Sequence, residues 1–135
     1  MTFGLDYLNN SESYSASDPD PFTAFNRDET DGFVASVSYG KTNPGHWLAA
    51  YYYADVETFA MNSSYSQDDW MRWGSANETR SSNFSGHEFR FVYGLMDKMN
   101  LVARLYIVEA NALRSVSATA KEDGNRLRVD VNYRF

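Results

Sequence analysis

From Arg126 to the end of the chain, polar and apolar side chains alternate without a break. Leu127, Val129, Val131, Tyr133 and Phe135 are apolar, and Arg126, Arg128, Asp130, Asn132 and Arg134 stand between them. A period of two is the signature of a β-strand with one face against an apolar medium. The same period recurs upstream. Leu101, Ala103, Leu105 and Ile107 alternate with Val102, Arg104, Tyr106 and Val108. Phe89, Phe91, Tyr93 and Leu95 alternate with Glu88, Arg90, Val92 and Gly94, and Phe33, Ala35, Val37 and Tyr39 with Val34, Ser36, Ser38 and Gly40. Near the start, Phe3, Leu5 and Tyr7 flank Gly4 and Asp6 more briefly. The stretch from Trp47 to Tyr53 is apolar at every position, so the period alone leaves its facing open. Setting Trp47, Ala49, Tyr51 and Tyr53 with the other apolar faces moves Asp55 beyond the end of the apolar band. No window keeps a helical period. The pattern therefore predicts six strands.

The connections between them alternate in length. Residues 41–45 (Lys-Thr-Asn-Pro-Gly) and 96–100 are short, while 9–31, 57–85 and 110–124 are long and polar. Pro fixes φ and Gly supplies positive φ, which makes the first a tight turn. Sorting long loops to one side and short turns to the other is characteristic of transmembrane β-barrels. It also places the C-terminus on the side of the short turns, the periplasmic side in such a barrel. A soluble antiparallel sandwich would share the alternation but has no reason to sort its loops.

Composition sharpens this picture. Mean hydropathy is −0.54, yet aromatic residues make up 16 % of the chain. A barrel reconciles the two, because only alternate residues meet lipid and the other face and the loops are polar. Strands of 8–11 residues match the roughly 9–11 needed to cross a bilayer at a tilt. Phe3, Tyr7, Tyr39, Trp47, Tyr53, Phe89, Tyr133 and Phe135 gather near strand ends, where rings with polar edges favour the headgroup zone. The chain is thus expected to be all-β, an antiparallel transmembrane β-barrel segment of six strands in meander order. Phe89, Phe91, Tyr93, Leu101, Leu105, Leu127, Val129 and Val131 are the expected lipid-facing set. Six strands are fewer than the eight at which such barrels begin, and an open edge cannot sit in lipid. The opening residues, Met1 to Asp6, also lack a basic start and an apolar run. The expectation is therefore that residues 1–135 form the C-terminal portion of a larger barrel in the bacterial outer membrane.

The closing strand, Asn125 to Phe135, resembles the C-terminal strand of outer-membrane barrels generally. In that group it is read by the barrel assembly machinery, so the resemblance gives Tyr133 and Phe135 the role of an assembly signal. A narrower resemblance is to a porin family of Gram-negative outer-membrane β-barrels. It is carried by Tyr39-Gly40-Lys41-Thr42-Asn43-Pro44-Gly45-His46-Trp47, with His46 where that family usually has Asp. It is carried also by Gly86-His87-Glu88-Phe89-Arg90-Phe91-Val92-Tyr93-Gly94-Leu95 and by the closing strand. The loop at 57–85 departs most from the family's pattern. The resemblance implies a channel for passive diffusion of small solutes, with lipid and lipopolysaccharide as surroundings and oligomers possible. It supplies no catalytic residue and no cofactor. The alternative is a barrel with a filled lumen: an adhesin, a receptor or a piece of a secretion pore.

Candidate chemistry follows from the faces. The polar face carries Glu88, Arg90, Arg104, Arg126, Arg128, Asp130 and Arg134, the expected pore lining, together with Asn132. Five arginines against two acids form either a basic strip that focuses the field on anionic solutes or a cross-strand ladder that satisfies its own charge. The first long loop sets Glu12, Asp18, Asp20, Asp28, Glu29 and Asp31 against Arg27 alone. That charge suits either a solvated loop or carboxylates bridged to lipopolysaccharide by divalent cations; no metal site is assigned. In the loop at 57–85, Tyr65, Trp70, Trp73 and Phe84 lie beside Asp68, Asp69 and Arg72, a mixture fit for loop packing, a pore constriction or a sugar contact. A net charge of −6 excludes the basic footprint of a nucleic-acid binder. The absence of cysteine excludes disulfides and thiolate chemistry. His87 and Glu88 are adjacent on a strand and so face opposite ways, while His46 sits beside a turn. An enzyme is not expected.

Overall fold

In a computed structural model of the chain, residues 1–61, 70, 82–113 and 115–135 are described. Among them the chain forms six strands and one short helix: β1 Thr2–Asn9, α1 Pro21–Phe25, β2 Asp31–Gly40, β3 Trp47–Val56, β4 Phe84–Met96, β5 Met99–Glu109 and β6 Asp123–Tyr133. Each strand pairs antiparallel with the next, giving one six-stranded meander in the order β1-β2-β3-β4-β5-β6. The sheet is not closed: β1 and β6 each have one strand neighbour. Among the described residues no helix is long and apolar enough to cross a membrane.

Register places side chains directly opposite one another on a common face. One such row runs Phe3, Val37, Tyr51, Phe89, Leu105, Leu127 across all six strands. The row one residue away runs Gly4, Ser36, Tyr52, Glu88, Tyr106, Arg126 on the other face. The two faces are called here the Phe89 face and the Glu88 face. β3, apolar from Trp47 to Ala54, is settled by this register: Trp47, Ala49, Tyr51 and Tyr53 join the Phe89 face, and Ala50, Tyr52, Ala54 and Val56 the other. The small residues of that second set are buried, which is where a covering layer needs room.

That layer comes from the long connections. Ala54, Val56, Ala60, Phe84, Tyr106, Val108 and Ala110 form a buried cluster, with Leu8, Val34, Met61 and Trp70 packed against it. The β3–β4 connection is held on both flanks. Toward the first loop, Phe59 N–H donates to Glu29 O at 2.8 Å and Thr58 Oγ1 to Glu29 Oε2 at 2.6 Å. The Phe59 ring also stacks on Tyr14 at 4.5 Å between centroids. Toward the third loop, Asn83 exchanges bonds with Ala112: its Nδ2 donates to the carbonyl at 3.1 Å, and its Oδ1 accepts from the amide at 2.7 Å. Asn83 does this at φ 62°, a conformation Asn tolerates better than other side-chain-bearing residues. In the first loop, Asp20 caps α1 by accepting from the N–H groups of Phe22 and Thr23 and from Thr23 Oγ1. The Thr23 hydroxyl and those backbone donors hold its carboxyl below the ordinary Asp range.

At the opposite end the connections are tight. Residues 41–46 join β2 to β3, with Gly40 at φ 110° and Gly45 at φ 74°. A Cβ at Gly40 would collide with the Trp47 carbonyl oxygen. The turn folds onto the end of β4: Gly45 N–H donates to Gly94 O at 2.8 Å and Gly94 N–H to His46 O at 3.0 Å. Gly94 has no room for a side chain, since a Cβ would meet the carbonyl oxygens of Thr42 and Asn43. A glycine inside a strand often marks such a close backbone approach. The ladder shifts register between Gly94 and Met96.

Candidate functional site

The polar residues singled out by the alternation converge on the Glu88 face. Arg90, Arg104 and Arg128 occupy one register row across β4, β5 and β6. Three guanidiniums side by side repel unless acids lie between them. Two do. Arg90 Nε lies 2.6 Å from Glu88 Oε1, and Arg104 Nε lies 3.8 Å from the same oxygen. On the other side, Arg104 NH1 is 2.9 Å from Asp130 Oδ2, and Arg128 Nε is 2.8 Å from that atom. The order Arg90, Glu88, Arg104, Asp130, Arg128 forms a continuous chain of alternating charge. The cross-strand ladder is therefore present among these residues.

The burial of this chain is graded. Glu88 is 1 % exposed, whereas Arg90 and Arg128 leave 30 % and 38 % of their side chains in solvent. A buried carboxylate requires paired charge and hydrogen bonds, and Arg90 provides both. Arg90 also sits over the Tyr52 ring at 4.6 Å from its centroid, a cation–π distance. Arg126 lies on this face opposite Tyr106. Arg134 follows the end of β6 and is exposed, with its N–H donating to Lys98 O at 2.8 Å. Asn132 Nδ2 donates to Asn100 Oδ1 at 3.0 Å.

Next to the charged rows, toward the long loops, lies an aromatic cluster. Tyr106 is 1 % exposed. The Trp70 ring stands edge-on to Tyr106 at 5.5 Å and stacks on Phe84 at 5.9 Å. A residue of the long β3–β4 connection thus covers the Glu88 face. Tyr65, Asp68, Asp69, Arg72 and Trp73 lie outside the described residues.

The other face has a different composition. Phe89, Phe91, Tyr93, Leu105, Leu127, Val129 and Val131 are exposed on it, and Leu101 is half-buried. Phe3, Leu5, Tyr7, Tyr39, Trp47, Ile107 and Tyr133 extend the same surface. Contiguous exposed apolar surface of this kind is found where proteins meet a partner, a ligand or a membrane. Phe135 is fully exposed, its ring edge-on to Tyr133 at 5.4 Å.

The two histidines lie apart. His87 is on the Phe89 face with Nδ1 2.8 Å from the Tyr51 hydroxyl, its ring beside Tyr51 and Tyr53. A hollow of about 350 Å³ there also meets Ser85, Glu109 and Asp123. His46 is in the β2–β3 turn, Nδ1 3.1 Å from Pro44 O. Among the described residues no three His, Asp or Glu side chains are grouped so as to hold a metal ion.

Sequence reasoning did not find Tyr52, Tyr106, Phe59, Asn83 and Asn111 as partners. Asn111 Nδ2 donates to Asp55 Oδ1 at 2.7 Å across 56 positions, and local pattern carries no signal for such a pair. The clip on Gly94 did have a signal, a glycine interrupting a strand. Comparison of the chain with protein families, with curated proteins and with solved structures gives no match.

Proposed function

We propose that this sheet is part of a β-barrel in the bacterial outer membrane and that the barrel is a porin-like channel for passive diffusion of small solutes. The observation that carries the reading is the division of one sheet into two unlike faces. An exposed aromatic and aliphatic surface runs across all six strands, and directly behind it on β4–β6 lie paired arginines and carboxylates, with a buried apolar cluster beside them toward the long loops. Lipid suits the first and water the second. A lipid-embedded sheet has to satisfy every backbone group, so this reading requires further strands on β1 and β6. They are expected in an N-terminal part of a longer chain. On this reading the C-terminus and both short turns are periplasmic. Phe135 is the end recognised by the assembly machinery, and lipid, lipopolysaccharide and small solutes are the partners.

A filled-lumen barrel is the second reading. It is favoured by Trp70 lying on Tyr106 and Phe84, and by the mutual pairing of Arg90, Arg104 and Arg128. Conductance separates the two. The protein carrying this sheet, reconstituted in planar bilayers, should give discrete, ohmic current steps. Detergent-dependent folding without any current would favour the filled barrel. A monodisperse, folded β-protein in plain buffer would remove both.

A further inference from the structure

On the Phe89 face, at the end of the sheet that carries the short turns, a hollow of about 400 Å³ opens between β2 and β3. It is lined by Tyr39, Lys41, His46 and Trp47, with Gly40 and Gly45 in its wall and Met1 at its rim. Its volume falls within the roughly 300–1,000 Å³ typical of small-ligand pockets. The hollow is a consequence of the turn chemistry. Gly40 and Gly45 take positive φ and contribute no side chain, and a Cβ at Gly45 would meet nothing within 4 Å. The clip onto Gly94 draws the turn backbone onto β4. Tyr39 and Trp47 are left exposed with ring centroids 6.0 Å apart.

We propose that this hollow binds the phosphate-bearing headgroup of a membrane phospholipid, with Lys41 as the phosphate partner and His46 accepting from a headgroup hydroxyl. The inference rests on the membrane reading above, which puts Tyr39 and Trp47 at headgroup depth. Three features select this occupant. The aromatic pair is continuous with the exposed apolar face through Trp47, which stacks toward Phe91 at 6.4 Å, so acyl chains have a surface to follow. Lysine is a compact point charge that pairs well with phosphate. His46 donates Nδ1–H to Pro44 O, so in the neutral ring Nε2 is an acceptor that suits a headgroup hydroxyl. The surrounding charge is also complementary. Lys41, Lys98 and Arg134 face only Asp97 near the short turns, whereas the first long loop at the opposite end carries six acids and one arginine. A basic pocket at a membrane interface is the common recognition mode for anionic headgroups.

The test uses the protein carrying this sheet, folded in nonionic micelles containing equal amounts of phosphatidylglycerol and phosphatidylcholine. Bound lipid is read by native mass spectrometry. One phosphatidylglycerol should be retained in preference to phosphatidylcholine. Lys41→Gln should weaken retention about fivefold, the factor expected for losing one cation near the headgroups. Lys41→Gln with His46→Gln should abolish the preference, and Lys41→Arg should keep it. Lys98→Gln, in the other short turn, should leave it unchanged. Gly45→Asn tolerates the positive φ and adds a side chain to the wall of the hollow, so it should weaken lipid retention in a sheet whose β-spectrum is intact. Equal losses in Lys98→Gln and Lys41→Gln would overturn the site in favour of diffuse surface charge. Displacement by millimolar inorganic phosphate would also overturn it, by assigning the hollow to a free anion. If the double variant folds only in detergent yet keeps its lipid, this site fails and the membrane reading stands. Folding of the chain in plain buffer would remove the membrane reading itself.

Discussion

Glu88 and Phe89 are neighbours in sequence and opposites in environment. Glu88 is 1 % exposed beneath Arg90 and within reach of Arg104, while Phe89 is 47 % exposed with no layer over it. The same contrast repeats at Tyr106 and Leu105, and more weakly at Arg128 and Val129. In a soluble sheet the apolar member of each pair would be covered and the charged member exposed. Here the order is inverted: Glu88 is covered by its arginine partners, Trp70 lies on Tyr106 and Phe84 at the loop end of the same face, and the apolar face is open. The difference teaches that the sheet completes its hydrophobic burial against something outside itself. The long connections are spent on the polar side.

The largest test of this contrast is to put charge on the open face. On the proposed membrane reading, Val129→Arg and Phe91→Arg should each destabilise the sheet by about 2–4 kcal/mol if these positions lie near the bilayer midplane. Arg128→Lys, one residue away, should change stability far less. Reversible unfolding in lipid vesicles measures all three. Equal tolerance at Val129 and Arg128 would show that the apolar face is not in lipid.

Removing the charge at the centre of the other face comes next. Glu88→Gln keeps the shape but removes the carboxylate that pairs with Arg90 and faces Arg104. A loss of about 2 kcal/mol is expected for breaking a buried, charge-assisted bond, measured by the same unfolding. Little change would mean that water screens the pair. Trp70→Ala should cost about 1–2 kcal/mol, since the indole is only half-buried on Tyr106 and Phe84. It should also raise the conductance of a reconstituted channel if the indole narrows the passage. Unchanged conductance would confine Trp70 to packing.

The smallest effect is on selectivity. Arg104→Gln with Arg128→Gln should move the reversal potential toward cations in a salt gradient at low ionic strength. The shift should fade as salt shortens the Debye length to about 10 Å at 0.1 M. Arg104 lies between Glu88 and Asp130, so much of its charge is already compensated and the expected shift is a few millivolts. No shift at all would leave these arginines with a purely structural pairing.

Legibility differed along the chain. β6 was readable residue by residue because each polar position alternates with an apolar one from Arg126 to Phe135. β3 was not, because seven apolar positions in a row satisfy either facing. Its facing is fixed by the register with β2 and β4 and by the need for Ala50, Ala54 and Val56 to sit under covering side chains. The ladder was legible as an inventory of arginines and acids. Which pairs form was not, because a two-residue period names the face but not the neighbour across it.

What the sequence determined by itself is the period of two, the six strands and their meander. These follow from local sterics and from the division of side chains between two media, and both act over a few residues. Only the tertiary structure decided that Asp130 reaches Arg104, that Trp70 lies on Tyr106 and that residues 41–46 clip onto Gly94. Each of those contacts joins segments far apart in the chain. Each depends on strand register and on the path of a long loop, which packing and hydrogen bonding select once the sheet exists.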